Sequence, residues 1–312
     1  MKCSLLLAAA MFLPAILQGA EPFAVVTVPV ANLREEPRHG SEMLSQGILG
    51  TPLKILSETG EWLQVEMPDG YRGHMIANGV QQMDSAAFDA WRSSARVCVS
   101  DLYCNIHVAP DTNSDVVSPL QMGDIVAYDE PLQGTVFMKV HLPDGRSGYM
   151  DFYKTRLFEP FSSAVAKDCV DEVAREIIES AREMMGQEYL WGGTSAKAAD
   201  CSGFTRIIFQ NGGIYLPRDA WQQAEAGEEV DYSSLQPGDL IFFSNAKGRV
   251  NHVGIYEGDG VMLHCSGRVR EDLIGPSSRT DLPEYHKKPS SFRRVIGVEL
   301  PSDRKANQLY FK

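Results

Sequence analysis

Residues 189–210 read YLWGGTSAKAADCSGFTRIIFQ. Phe204, Ile207 and Ile208 recur at helical spacing, and Asn211-Gly212-Gly213 supplies a stop. The spacing predicts a helix that begins at or near Cys201, behind a Gly-rich stretch. Unpaired backbone N–H groups at such an end favour negative charge. A thiol placed there is expected to drop from about 8.5 into a range of roughly 3.5–7.5, where the nucleophilic thiolate forms. The bland alternative is a packed thiol, but an acid before Cys201 and Ser-Gly after it are poor company for one.

A nucleophile needs a base within hydrogen-bond reach. Two histidine-bearing segments follow, VNHVGIY (250–256) and VMLHCSG (261–267), joined by EGDG. Both read as strands of one antiparallel hairpin. An odd loop, such as Glu257-Gly258-Asp259, would set His252 and His264 directly opposite on one face, whereas an even loop would put them on opposite faces. With His252 taking the thiol proton and His264 orienting it, the set has the logic of a triad. Zinc is the competing use of Cys201, His252, His264 and Cys265. The spacing lacks a C-x2-C or H-x3-H pair, and strand neighbours His264 and Cys265 point oppositely, so no metal and no cofactor is expected.

Working outward, the N-terminal half repeats itself. ANLREEP (31–37) matches CNIHVAP (104–110), and MPDGYRGHM (67–75) matches LPDGRSGYM (142–150), the offset drifting only from 73 to 75. Short strands such as FAVVTV, TPLKIL and EWLQVEM alternate with Gly, Pro and Asp, and each PDG is a turn signal. Each copy reads as a small, partly open β-barrel. MDSAAFDAWRSSA (83–95) between them reads as a packed helical connector capped by Asp84, with Phe88 and Trp91 on one face. Beyond residue 161, Val170, Val173, Ile177, Ala181 and Met184 form a helical core stripe ended by Gly186.

The chain has 312 residues and a net charge of −12, without a basic stripe, which excludes nucleic acid as a partner. Residues 1–20, MKCSLLLAAAMFLPAILQGA, read as a cleaved export signal: Lys2, an apolar run broken by Pro14, then small Gly19 and Ala20. No later stretch reads as a membrane span, so the mature chain is expected in a periplasm or cell envelope, with no stable membrane insertion. Five cysteines follow the signal, an odd number. Whether Cys98 and Cys104 pair is left open; Cys169 and Cys265 are expected to be buried, and Trp191 to be core.

YLWGGTS…DCSGF, LQPGDLIFF, NHVGIY and LHCSG, in this order, resemble the NlpC-type family of papain-like cell-wall cysteine peptidases over about residues 165–300. The paired upstream units resemble bacterial SH3-like domains, as in the YkfC-like branch. The resemblance implies an α+β fold: helices packed on an antiparallel sheet, preceded by two all-β barrels. The expected division is signal 1–20, first SH3-like domain 21–82, connector 83–95, second SH3-like domain 96–160, peptidase domain 161–300 and a mobile tail 301–312. It implies Cys201 as nucleophile, His252 as base and His264 as its orienting partner. It implies hydrolysis of the γ-D-glutamyl–diamino acid bond of peptidoglycan stem peptides with a free N-terminal L-alanine. Glu42 and Tyr71 of the first SH3-like domain would cap that amine, while Asp200, Ser202, Arg218 and Asp219 would line the groove. Ala220 stands where relatives often carry serine. The alternatives are a wall-binding scaffold without turnover, or acyl transfer by the same cysteine. Defined muropeptides separate them by cleavage, by binding alone, or by a new adduct.

Overall fold

The computed structural model describes residues 22–165, 167–274 and 289–312. The expected export segment, residues 1–20, lies outside them. Among the described residues, no helix is long and apolar enough to cross a membrane.

The N-terminal half holds two seven-stranded antiparallel sheets. The first uses Phe23–Val26, Val30–Arg34, Met43–Ile48, Pro52–Thr59, Trp62–Glu66, Arg72–Ile76 and Val80–Met83. The second uses Arg96–Val99, Tyr103–His107, Val116–Gln121, Ile125–Pro131, Phe137–His141, Ser147–Asp151 and Thr155–Leu157. Counted along the chain, both run in space as third, second, sixth, fifth, fourth, first and seventh. A short 3-10 turn links sixth to seventh strand in each copy, at Ala77–Gly79 and Phe152–Lys154. The PDG turns close alike: Gly70 N–H donates to Met67 O and Gly145 N–H to Leu142 O. Gly73 and Gly148, 75 residues apart, let two strands cross closely. A Cβ on Gly148 would sit 2.4 Å from His107 O, and one on Gly73 2.7 Å from Arg34 O. Each copy has its own apolar core, around Leu33, Leu63 and Met75 in the first and Ile106, Val140 and Met150 in the second.

Helix α1 (Ser85–Ser93) joins the barrels, capped by Asp84, whose carboxylate accepts from Ala87 N–H at 2.7 Å. Its buried Phe88 stacks on Phe23 at 4.3 Å. Helix α2 (Val170–Glu183) buries Ala174, Ile177 and Ala181. It packs beside α3 (Cys201–Asn211), in which every residue from Cys201 to Gln210 is buried. An eight-stranded sheet carries α3, its main strands being Leu240–Ser244, Val250–Gly258, Val261–Ser266, Arg268–Leu273 and Ser291–Arg294. Alternation along these strands splits the sheet in two. Val253, Ile255, Leu263, Cys265 and Val269 meet α3, while Ile241, Phe243, Met262 and Ile274 form a separate cluster. A short helix, α4 (Ala220–Gln223), follows α3.

Residues 301–312, expected to be a mobile tail, instead form helix α5 (Pro301–Tyr310), docked across all three units. Tyr310 and Ala306 are buried with Phe158, Phe161 and Tyr215. The polar residues that made the segment look like a tail satisfy backbone elsewhere. Asp303 accepts from Ser163 and Tyr215 N–H, and Asn307 exchanges two hydrogen bonds with the Phe161 backbone. Arg96, stacked on Trp91, Phe158 and Phe311, donates to Tyr310 O at 2.7 Å. The described cysteines are all unpaired, Cys98 and Cys104 included.

Removing the Tyr310 ring leaves a cavity where three units meet. Tyr310→Ala is expected to lower unfolding stability by about 3 kcal/mol, read as a fall in the urea midpoint. A loss under about 1 kcal/mol would show that α5 is not a fastener.

Candidate active site

The Asp200 carboxylate opens α3. Its Oδ1 accepts from Gly203 N–H at 2.7 Å, capping the helix, and from the Ser202 hydroxyl at 3.2 Å. Its Oδ2 accepts from Gly192 N–H at 3.0 Å, tying down the Gly-rich stretch. Gly203 is required here, because a Cβ would lie 1.9 Å from Gly193 O. Arg218, 2% exposed, donates to both Asp200 oxygens at 3.1 and 2.6 Å, to Ser202 Oγ at 3.0 Å and to Ser45 Oγ of the first barrel at 3.1 Å. Asp200, Ser202 and Arg218 therefore border the groove as a mutually bonded, buried support.

Cys201 follows Asp200 and is 9% exposed. Burial first, then the Asp200 carboxylate, push its thiol up to about 12. The backbone N–H groups of Val253 and Ser202, and the Arg218 charge, pull the other way. The lowered value expected from a helix N-terminus is thus overturned, since desolvation outweighs the helix end. The N–H of Val253 places the sulfur against the residue next to His252.

The histidines are joined: His252 Nε2 lies 2.7 Å from His264 Nδ1. The odd-loop expectation is corrected. The hairpin turns on two residues, Asp259 (φ 50°) and Gly260 (φ 77°), and the register shifts between Tyr256 and Gly258. That bulge absorbs the parity that a two-residue loop would otherwise impose. His264 pairs with Gly254, so His252 lies diagonally across from it on the same face. The chain of contacts continues from His264 Nε2 to Asp272 Oδ2 at 2.8 Å, and from there to Arg270 at 2.6 Å. Asp272 was not anticipated. The signal was there in RVREDL, a third alternating strand that puts residues 270 and 272 on the histidine face.

A groove of about 590 Å³ runs between the first barrel and the C-terminal domain. Glu42, Tyr71, Asp200, Cys201, Ser202, Arg218 and Asp219 all border it. Tyr71 Oη lies 3.4 Å from an Asp219 oxygen; burial, then that carboxylate, raise its phenol to about 12, so it stays a donor. Trp191, expected in the core, is 64% exposed and donates its indole N–H to Glu42 at 2.9 Å. Trp221 of α4, Asn251 of the strand Val250–Gly258, and Asn245 and Arg249 from the loop before that strand also line the groove and were missed. The barrel wall is held in place by contacts to the C-terminal domain. Gln46 and Thr194 exchange three hydrogen bonds of 2.9–3.0 Å, and buried Arg206 meets Asp69 at 2.5 Å. Cys265 is buried as expected, its thiol donating to Ala199 O, whereas Cys169 is exposed.

A thiol at a helix N-terminus thus stands beside a sheet whose adjacent strands carry two linked histidines. Residues 186–281 match the NlpC/P60 family, and residues 33–77 match the bacterial dipeptidyl-peptidase Sh3 domain. The chain thus carries an NlpC/P60 domain with a bacterial SH3 domain in front of it, and its homology to gamma-D-glutamyl-L-lysine dipeptidyl-peptidases marks it as a cysteine peptidase. It is similar to the gamma-D-glutamyl-L-lysine dipeptidyl-peptidase of Bacillus cereus, 27% identical over 277 residues, which cover 83% of this chain and 77% of that one. The protein of the same name from Bacillus subtilis is 44% identical over 105 residues, 33% of this chain and 36% of that one. In fold it is similar to the crystal structure of an NlpC/P60 family protein from Bacillus cereus, with a TM-score of 0.74 at 23% identity, covering 88% of this chain and 99% of that one.

Asp200 and Arg218 are buried together, so removing one strands the other. Arg218→Met is expected to cost about 3–5 kcal/mol, measured by denaturant unfolding. A change below about 1 kcal/mol would show that the pair does not hold the helix end.

Proposed function

We propose that this protein hydrolyses the γ-D-glutamyl–diamino acid bond of peptidoglycan stem peptides whose N-terminal L-alanine carries a free amine. The observation that carries this reading is a groove bordered by Cys201 at the start of α3, by Glu42 and Tyr71 of the barrel wall, and by Asp219, which Tyr71 meets from the facing domain. The printed names of the Bacillus relatives, gamma-D-glutamyl-L-lysine dipeptidyl-peptidases, support the same bond class.

In the reaction, Cys201 attacks the γ-glutamyl carbonyl carbon as its proton passes to His252. The thiol is neutral at rest, so the nucleophile forms as the base engages rather than waiting as a free thiolate. Backbone N–H groups at the start of α3 receive the oxyanion. The C–N bond breaks, and the leaving amine takes the proton from His252, leaving a thioester. Water then gives a proton to His252 and its oxygen to the carbonyl. The C–S bond breaks, the free γ-carboxylate departs and the thiol regains its proton.

At the far end, a substrate ammonium meets a wall made for a cation. Glu42 is oriented by Trp191, and Asp219 by the Tyr71 hydroxyl. A desolvated cation needs such partners. Asp200, Ser202 and Arg218 keep the groove floor in place next to the sulfur. The place of action proposed is the cell envelope, after export.

Cys201→Ala is expected to abolish release of L-Ala-D-Glu from L-Ala-γ-D-Glu-L-Lys while leaving the melting curve unchanged; retained turnover would remove the assignment. Glu42→Ala is expected to reduce kcat/KM on that tripeptide about tenfold or more, the worth of one charged hydrogen bond. The N-acetylated tripeptide should be cut poorly by both forms and show no such loss. An equal effect on both substrates would sink the amine cap.

A further inference from the structure

The histidine pair does not end at His264. Asp272 lies on the next strand, Arg268–Leu273, which pairs with Val261–Ser266 so that His264 faces Arg270 and Met262 faces Asp272. Counting by twos puts His252, His264, Arg270 and Asp272 on one face of the sheet. The Asp272 side chain is buried, and one oxygen, Oδ2, receives both His264 Nε2 at 2.8 Å and Arg270 at 2.6 Å.

We propose that Asp272 is a positioning residue that fixes the tautomers of both histidines and so decides which nitrogen of His252 is the base. The deduction uses only donor and acceptor bookkeeping. An ionised carboxylate accepts and cannot donate, so His264 Nε2 carries its proton toward Asp272. A neutral His264 then has its lone pair on Nδ1. The 2.7 Å contact requires His252 to donate there from Nε2. His252 is left with its lone pair on Nδ1, the one nitrogen able to take the thiol proton. When that proton arrives, the imidazolium is stabilised through Nε2–H on His264, whose other edge is held by the Asp272 charge. No proton reaches Asp272, and Arg270 keeps the carboxylate ionised. The surroundings agree with these states. Burial pushes His264 down, against the pull of Asp272, so that it stays neutral. Burial would raise Asp272, but its bonds to His264 and Arg270 bring it below the ordinary carboxylate value.

This proposal rests on Cys201 and His252 being the reacting pair, so its test separates the two. Long-range 1H–15N spectra of uniformly 15N-labelled wild-type protein at pH 8 report each imidazole's protonated nitrogen without any substrate. Both His264 and His252 are expected to be protonated at Nε2 and bare at Nδ1. A proton on Nδ1 of either ring in the wild type overturns the proposal, whatever the enzyme cleaves. In Asp272→Ala the His264 signals are expected to shift toward a mixture of tautomers. With L-Ala-γ-D-Glu-L-Lys as substrate, kcat should fall about 100-fold, the scale of a misplaced general base, with KM within about twofold. An unchanged kcat, or a loss confined to KM, would also overturn it. The wild-type spectrum decides the matter even where the variant fails to fold, and loss of all wild-type turnover on this peptide would count against the substrate alone.

Discussion

The Asp200 carboxylate is the constraint on which the site depends. It is buried, and it is satisfied five times: by the α3 cap at Gly203, by Gly192, by the Ser202 hydroxyl and twice by Arg218. Each bond fixes a different part. The cap sets where α3 begins and hence where the Cys201 sulfur stands. Gly192 brings the loop against the barrel, and Arg218 reaches Ser45 across the boundary. The same charge has a chemical cost, because it raises the neighbouring thiol. The cavity is thus organised by an acid that resists the formation of an anion next to it. Arg218 and two backbone N–H groups offset part of that resistance.

Much of this was legible in the chain. The duplicated motifs at 31–37 and 104–110 announced two like units, and the strand orders agree down to the 3-10 turn. The helix beginning at Cys201 followed from the apolar spacing of Phe204, Ile207 and Ile208, with the stop behind them. The family resemblance placed Glu42, Tyr71 and Asp219 in a groove that they do border. What failed depended on counts and contacts that one dimension does not carry. The hairpin parity was misread because a bulge near Gly258 is invisible in composition. The thiol's value was misjudged because local helix chemistry is readable while burial is not. Helix α5 was missed because its apolar residues, Ala306 and Tyr310, are sparse, and its polar ones cap distant backbone. Asp272 escaped because its partner lies on a strand eight residues upstream.

The groove lies between units rather than inside one. One wall is a barrel held by Asp69–Arg206 and Gln46–Thr194, and the other is the sheet with its nucleophile helix. Buried links of this kind leave little freedom for hinge motion, so the width of the opening is set by folding. Exposed Trp191 and Trp221 at the mouth are apolar surfaces available to a bound ligand.

The two barrels show how doubling frees a scaffold. Tyr71 in the first corresponds to Arg146 in the second, 75 residues on. The tyrosine faces the groove, whereas the arginine braces the Thr27 carbonyl of its sister at 3.1 Å. Tyr103 and Arg156 of the second barrel prop Ala196 and Gln210 of the peptidase domain. One barrel lends a side chain to the groove wall, and the other braces both of its neighbours, so loss of that brace would loosen the wall it supports.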